Sequence, residues 1–194
     1  GDAWSGRTGV GVVVGIVDTG IDFTHEDFQR PDWTTRILYL WDQGDVVGPP
    51  PGPEVLTGGY GTEWTSQQID NPGVSVRARD EVGHGTRVAG VAAGNGRASD
   101  LEERRYQYAG IAPEADLIVV SVKNFVTDAE IVDAIGYIFR RAELLGRPAV
   151  VNLSLGTHFG PHDGTGSLEQ AIDGLVGPGR LLVAAAGNEG DDSV

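Results

Sequence analysis

The sequence contains no cysteine. That excludes a disulfide framework, a thiolate nucleophile and a thiolate metal centre. Basic residues are scarce: 14 Lys and Arg stand against 28 Asp and Glu, a formal net charge of −14. A surface of that sign repels a phosphate backbone, so no nucleic-acid partner is expected. The acidity serves solubility. Long apolar runs are missing as well. None approaches the ~20 residues of a membrane-spanning helix, so no membrane partner is expected either. The opening Gly1-Asp2-Ala3-Trp4 lacks the basic-then-apolar pattern of an export signal, and the localisation is not legible from these features.

What is present is a globular composition. Hydrophobic residues make up 40% of 194, enough for one domain, 1–194, with a sizeable core. The apolar runs Val10 to Val17, Leu117 to Val122, Ala149 to Leu155 and Leu181 to Ala186 are continuous rather than alternating. Such runs suit buried strands of a parallel sheet. Helical patterns lie between them. Thr127-Asp128-Ala129-Glu130 is a capping box opening a helix with Ile131, Ile135, Ile138 and Ala142 on one face. Ser167-Leu168-Glu169-Gln170 repeats the device. The alternation predicts an α/β fold: three layers, a mostly parallel sheet with helices on both faces. Residues 42–80, with Pro49-Pro50-Pro51-Gly52-Pro53 and Gly58-Gly59-Tyr60-Gly61, read as a loop-rich surface excursion with little core.

Ligands of such sheets bind at the carboxyl ends of the strands, so the residues just after each apolar run are the candidates for chemistry. Asp18 ends the first run, in "VVVGIVDTGID". It is either a turn residue or an anion held for a purpose, because an unpartnered carboxylate at a buried strand tip is costly. His84, in "DEVGHGTRVAG", lies between two glycines at the start of a small-residue helix. It is either structural or a base, and a helix N-terminus disfavours imidazolium unless an anion accompanies it. Asp18 is of the right type to do so. Asn188, in "AAAGNEG", is either a turn residue or a neutral donor suited to a developing oxyanion.

Together these blocks, in this order, resemble the subtilase family of subtilisin-like serine peptidases, over nearly the whole chain. "IVDTGID" resembles the block of the catalytic aspartate, which implies that role for Asp18. "GHGTRVAG" resembles the histidine block, implying a general base at His84, and "AAAGNEG" the oxyanion block, implying a donor at Asn188. "VVNLSLG" resembles the strand that pairs with substrate, implying contacts from Ser154, Leu155 and Gly156. Ala185 and Gly187 would leave room for a substrate side chain, and Val126 and Thr127 would form the opposite rim with Phe125. "RILYLWDQ", "GTEWTSQQID" and "GPHDGTGSLEQAID" are similar to the clostridial Csp-type branch. The implied activity is that of a serine endopeptidase with peptide or protein substrates. The resemblance alone favours a secreted, spore or cell-envelope setting.

One element of the family pattern is missing. The nucleophile lies in a Gly-Thr-Ser block heading a helix, and none of Ser5, Ser66, Ser75, Ser99, Ser121, Ser154, Ser167 and Ser193 has that context. The chain therefore reads as an N-terminal part of a catalytic domain, incomplete at its C-terminus, whose remainder carries the serine. On that reading it is inactive alone. A non-catalytic pseudoenzyme or binding scaffold is the alternative. No cofactor is expected. Calcium is a possibility raised by Asp22 and Asp27 in "DFTHEDF", although "NGRA" at 95–98 does not match the family's usual calcium loop. His25, His158 and His162 complete no metal spacing. A metal-dependent phosphoesterase built on Asp18, Asp22 and Asp27 leaves "GHGT" and "AAGNEG" unexplained.

Overall fold

A computed structural model describes residues 6–99, 101–123, 126–156, 159–188 and 190. Each continuous apolar run contains a strand. The first forms β1 (Val13–Asp18), buried along its whole length. It is flanked by β4 (Asp116–Ser121) and β5 (Ala149–Leu153), both parallel to it. Outside these lie β2 (Ile37–Asp42), parallel to β4, and β6 (Arg180–Ala184), parallel to β5. β3 (Thr62–Thr65) borders β2 antiparallel, so the order is β3-β2-β4-β1-β5-β6.

Side chains alternate along each strand, and in the central strands β1 and β4 both sets are largely apolar. Val13 and Val17, with Ile118, Val120 and Val151, meet Ile135 and Ile138 of helix α3 (Asp128–Leu144). Ile172 and Leu175 of α4 (Ser167–Leu175) join that layer. Val14 and Ile16, with Leu117 and Val119, meet Ala89 and Ala93 of α2 (His84–Ala93) on the other face. The result is the three-layer α/β architecture that the strand–helix alternation implies. Among the described residues no helix is long and apolar enough to cross a membrane.

Arg36 ties the α2 layer together. It is 3% exposed and donates to the carbonyls of Ala115, Asp27 and Ala93, the last of these ending α2. A cation suits a helix C-terminus. Burial pushes its guanidinium down to about 10, which leaves it charged at neutral pH.

Three expectations change. Residues 42–80 hold more than a surface excursion. They supply β3, the single-turn α1 (Ser66–Ile69) and the buried Leu56, Trp64, Val76 and Ala78. Glu63 of β3 fastens this segment to α3. Its carboxylate accepts from Arg141 Nε at 2.9 Å, from Arg141 Nη2 at 2.6 and 2.7 Å, and from the Tyr137 hydroxyl at 2.5 Å. The Arg141 guanidinium also lies 4.3 Å from the centre of the Tyr39 ring. Second, β6 is not buried: Leu182 packs against the α3 layer, but Leu181 and Val183 on the other face join neither core cluster and are 58% and 57% exposed. Third, α4 is capped one residue early, by Gly166, whose N–H donates to Glu169. Glycine has no side chain to return the bond, so only half of the box forms.

The Glu63–Arg141 pair is nearly buried, with side-chain exposures of 11% and 10%. Truncating one partner leaves the other charge unpaired, and Glu63→Ala is expected to lower stability by about 3 kcal/mol in urea titration. Replacing both charges together, Glu63→Leu with Arg141→Met, is expected to recover most of that loss.

Candidate active site

The strands end level with one another. Asp18 aligns with Ser121 of β4, Val17 with Leu153 of β5, and Leu153 with Ala184 of β6. The carboxyl ends of four parallel strands thus make one edge. Asp18 is 0% exposed there. Its Oδ1 accepts from the Thr19 N–H at 2.7 Å and lies 2.7 Å from His84 Nδ1. Its Oδ2 is buried with no hydrogen-bond partner. A carboxylate has no proton to give, so Nδ1 is the donor, and in the neutral ring Nε2 keeps a lone pair. The His84 side chain is 45% exposed, so an incoming group can reach the ring. Among the described residues its one side-chain hydrogen bond is to Asp18.

Local sequence explains why His84 stands there. It is the first residue of α2, after an N-cap, Gly83, at φ 77, a left-handed conformation that favours glycine. Gly85 lets the helix press against the strand tip: a β-carbon there would lie 2.2 Å from the Gly20 carbonyl oxygen and 3.1 Å from Asp18 Cβ. Gly83 offers no capping side chain, so the helix's first N–H groups find acceptors elsewhere. Thr86 N donates to Asp80 Oδ2 at 2.8 Å, Gly83 N to Asp80 Oδ1 at 2.8 Å, and Gly85 N to Thr19 Oγ1 at 3.0 Å. The hydroxyls of Thr86 and Thr19 also donate to Asp80, at 2.6 and 2.8 Å. Burial raises the Asp80 carboxyl, but these donors outweigh it and hold the group below its ordinary value. Asp80 is absent from the sequence-derived candidates. An acid three residues before a glycine N-cap is the signal that points to it.

The remaining candidates share the edge without touching His84 in any described hydrogen bond. Ser154, Leu155 and Gly156 come directly after β5; Ser154 Oγ accepts from Asn152 Nδ2 at 2.9 Å, and Leu155 packs against the core. Ala185 comes directly after β6 and donates its N–H to the Leu153 carbonyl. Gly187, at φ 92, leads into Asn188, and both are exposed. Two strand spacings, roughly 10 Å, separate the ends of β1 and β6. Val126 precedes Thr127, whose hydroxyl caps α3 through Glu130. Phe125 and His158 lie outside the described residues. His25 is an N-cap, its Nδ1 accepting from Asp27 N.

The acids near β1 do not gather for calcium. Asp22 Oδ1 accepts from the N–H and hydroxyl of Thr24, and Asp27 Oδ1 accepts from Ala98 N. A cation is already built into the 95–98 loop. Arg97 is 6% exposed, lies 3.6 Å from the centre of the Trp33 ring and donates to the Arg30 carbonyl. Among the described residues no three His, Asp or Glu side chains form a metal-binding group. This donor set does not fit calcium, which wants six or more oxygens.

Comparison with known proteins finds relatives of the chain and of its fold. The model of the subtilase family matches residues 9–194. The subtilisin-like protease PopC of Myxococcus xanthus is 32% identical over 97% of this chain and 36% of its own length. The major intracellular serine protease of Bacillus subtilis is 30% identical, over 98% of this chain and 47% of its own. The structure of the Clostridium perfringens CspB protease superposes with a TM-score of 0.77 at 26% identity, covering 95% of this chain and 37% of that one. The chain spans about a third to a half of the length of these relatives.

Three outcomes are expected. Excess EDTA leaves the thermal midpoint unchanged, whereas Arg97→Ala lowers stability by about 2 kcal/mol through the lost stacking and hydrogen bond. Asp80, with its carboxyl lowered by folding, stabilises the fold above the unfolded-chain pKa near 3.9 and ceases to as pH falls through its folded value. Thermal midpoints measured from pH 6 to pH 3 should therefore fall less steeply for Asp80→Asn than for the unaltered chain.

Proposed function

The chain belongs to the subtilase family, and we propose that it is the N-terminal part of the catalytic domain of a serine endopeptidase, with Asp18 and His84 as two members of a triad. What supports this most is the 2.7 Å contact between His84 Nδ1 and a wholly buried carboxylate. That pairing fixes the tautomer, leaves Nε2 to take the proton of an attacking serine, and stabilises the imidazolium that forms. Asn188 would help bind the resulting oxyanion with its amide. An extended peptide would add as a strand beside Ser154-Leu155-Gly156, with Ala185 and Gly187 on one side and Val126 and Thr127 on the other.

The nucleophile, on this reading, belongs to the remainder of the domain. None of the eight serines present comes after Gly-Thr at the head of a helix. The exposed Leu181 and Val183 on edge strand β6 suit the docking of further chain. The missing serine block equally favours the alternative, a subtilase fold kept as a non-catalytic scaffold.

The parent gene, read past Val194, decides between them. We expect a Gly-Thr-Ser block there, labelled at its serine by a fluorophosphonate probe, while no serine of residues 1–194 is labelled. In that longer product Asp18→Asn should reduce kcat about 10⁴-fold, the scale of the same change in another serine protease. Asn188→Ala should cost about 10²–10³, a scale taken from subtilisin. Labelling of any serine within residues 1–194 would overturn the reading, and a downstream sequence without the block would establish the scaffold.

A further inference from the structure

His84 is bracketed by residues that share one anchor. Gly83 N, Thr86 N and the Thr86 hydroxyl all donate to the Asp80 carboxylate, and the hydroxyl of Thr19, next to Asp18, donates to it as well. Thr19 Oγ1 in turn accepts from Gly85 N. Thr86 Oγ1 accepts from Asp22 N in the turn after β1. The backbone on both sides of the imidazole and the residue beside its carboxylate partner are therefore held by a single side chain. The imidazole itself takes no part in that network.

The Thr19 hydroxyl adds a second effect. It has one proton and two carboxylates in range, Asp80 Oδ1 at 2.8 Å and Asp18 Oδ1 at 3.3 Å. The shorter contact takes the proton. Asp18 Oδ1 is then left to the Thr19 N–H and the imidazole. Without Asp80 the hydroxyl can turn to Asp18 and compete with His84 for the same oxygen.

We propose that Asp80 is a positioning residue for His84: it clamps the start of α2 to the end of β1 and keeps the Thr19 hydroxyl off Asp18, so that the imidazole and the buried carboxylate meet in one geometry. The functional meaning rests on the reading of His84 as the general base, but the clamp is a property of the chain itself. Asp80 does not touch the reacting atoms. Its removal would act through a misplaced ring, and a displacement of about 1 Å can cost 10²-fold in rate.

The test uses the 194-residue chain and needs no catalysis. With ¹⁵N-labelled histidine, the Nδ1–H proton of His84 should give a downfield resonance that Asp18→Asn and His84→Ala each abolish. Asp80→Ala is expected to lose this resonance, or to speed its exchange with water at least tenfold, while keeping a dispersed amide spectrum. Asp80→Asn, with one acceptor oxygen in place of two, should fall between, and it decides the matter if the alanine variant does not fold. Glu63→Ala, which destabilises the chain at a distant site, should leave the resonance unchanged and so separates positioning from mere loss of stability. An unchanged His84 resonance and exchange rate in a folded Asp80 variant would overturn the proposal without touching the proposed function. Conversely, a parent gene lacking the serine block would remove that function and leave the clamp standing.

Discussion

A carboxylate at the tip of the central strand, sealed from solvent, is the constraint around which this molecule is organised. Asp18 has one oxygen shared between a backbone donor and the His84 ring, and a second oxygen with no partner. Burying an anion so sparsely solvated is costly. The imidazole's proton is one of the few favourable terms that offset it. The same arrangement that makes Asp18 expensive therefore holds the histidine ring to one orientation and one tautomer.

The surroundings serve that pairing through backbone geometry. Parallel strands of matched length end on one level, so the loops after β1, β4, β5 and β6 converge on a single edge. Helix α2 begins there, and a helix start favours negative charge and opposes positive charge. Asp18 meets the imidazole of its first residue, and Asp80 takes the N–H groups of Gly83 and Thr86 at that helix start. A glycine at the cap permits the tight entry, and the acid that a cap would ordinarily supply comes from three residues earlier.

The rest of the domain is secured differently. Arg36, Arg97 and Arg141 are each nearly buried and each joins segments far apart in sequence: helix end to strand start, loop to aromatic ring, β3 to α3. In a chain with twice as many acids as bases, its arginines carry much of the cross-linking. In the 95–98 loop one of them stands where a metal ion would otherwise have been considered.

The primary sequence by itself determined four of the six strands, the layer architecture and the identity of the paired residues. A continuous apolar run marks a strand, and the box at Thr127 closes over three residues, so both are local signals. Asp18 and His84 were legible for the same reason, each sitting at the junction of a strand or helix with a glycine-bearing turn. Tertiary structure alone decided that Glu63 is a buried anchor rather than part of a loop, that Leu181 and Val183 are exposed, and that Asp80 also takes the hydroxyl of Thr19 beside Asp18. These depend on partners 61 to 78 residues away, or on whether a strand's face is covered. No local pattern encodes such a distance, since it is set only when the sheet brings its strands into register.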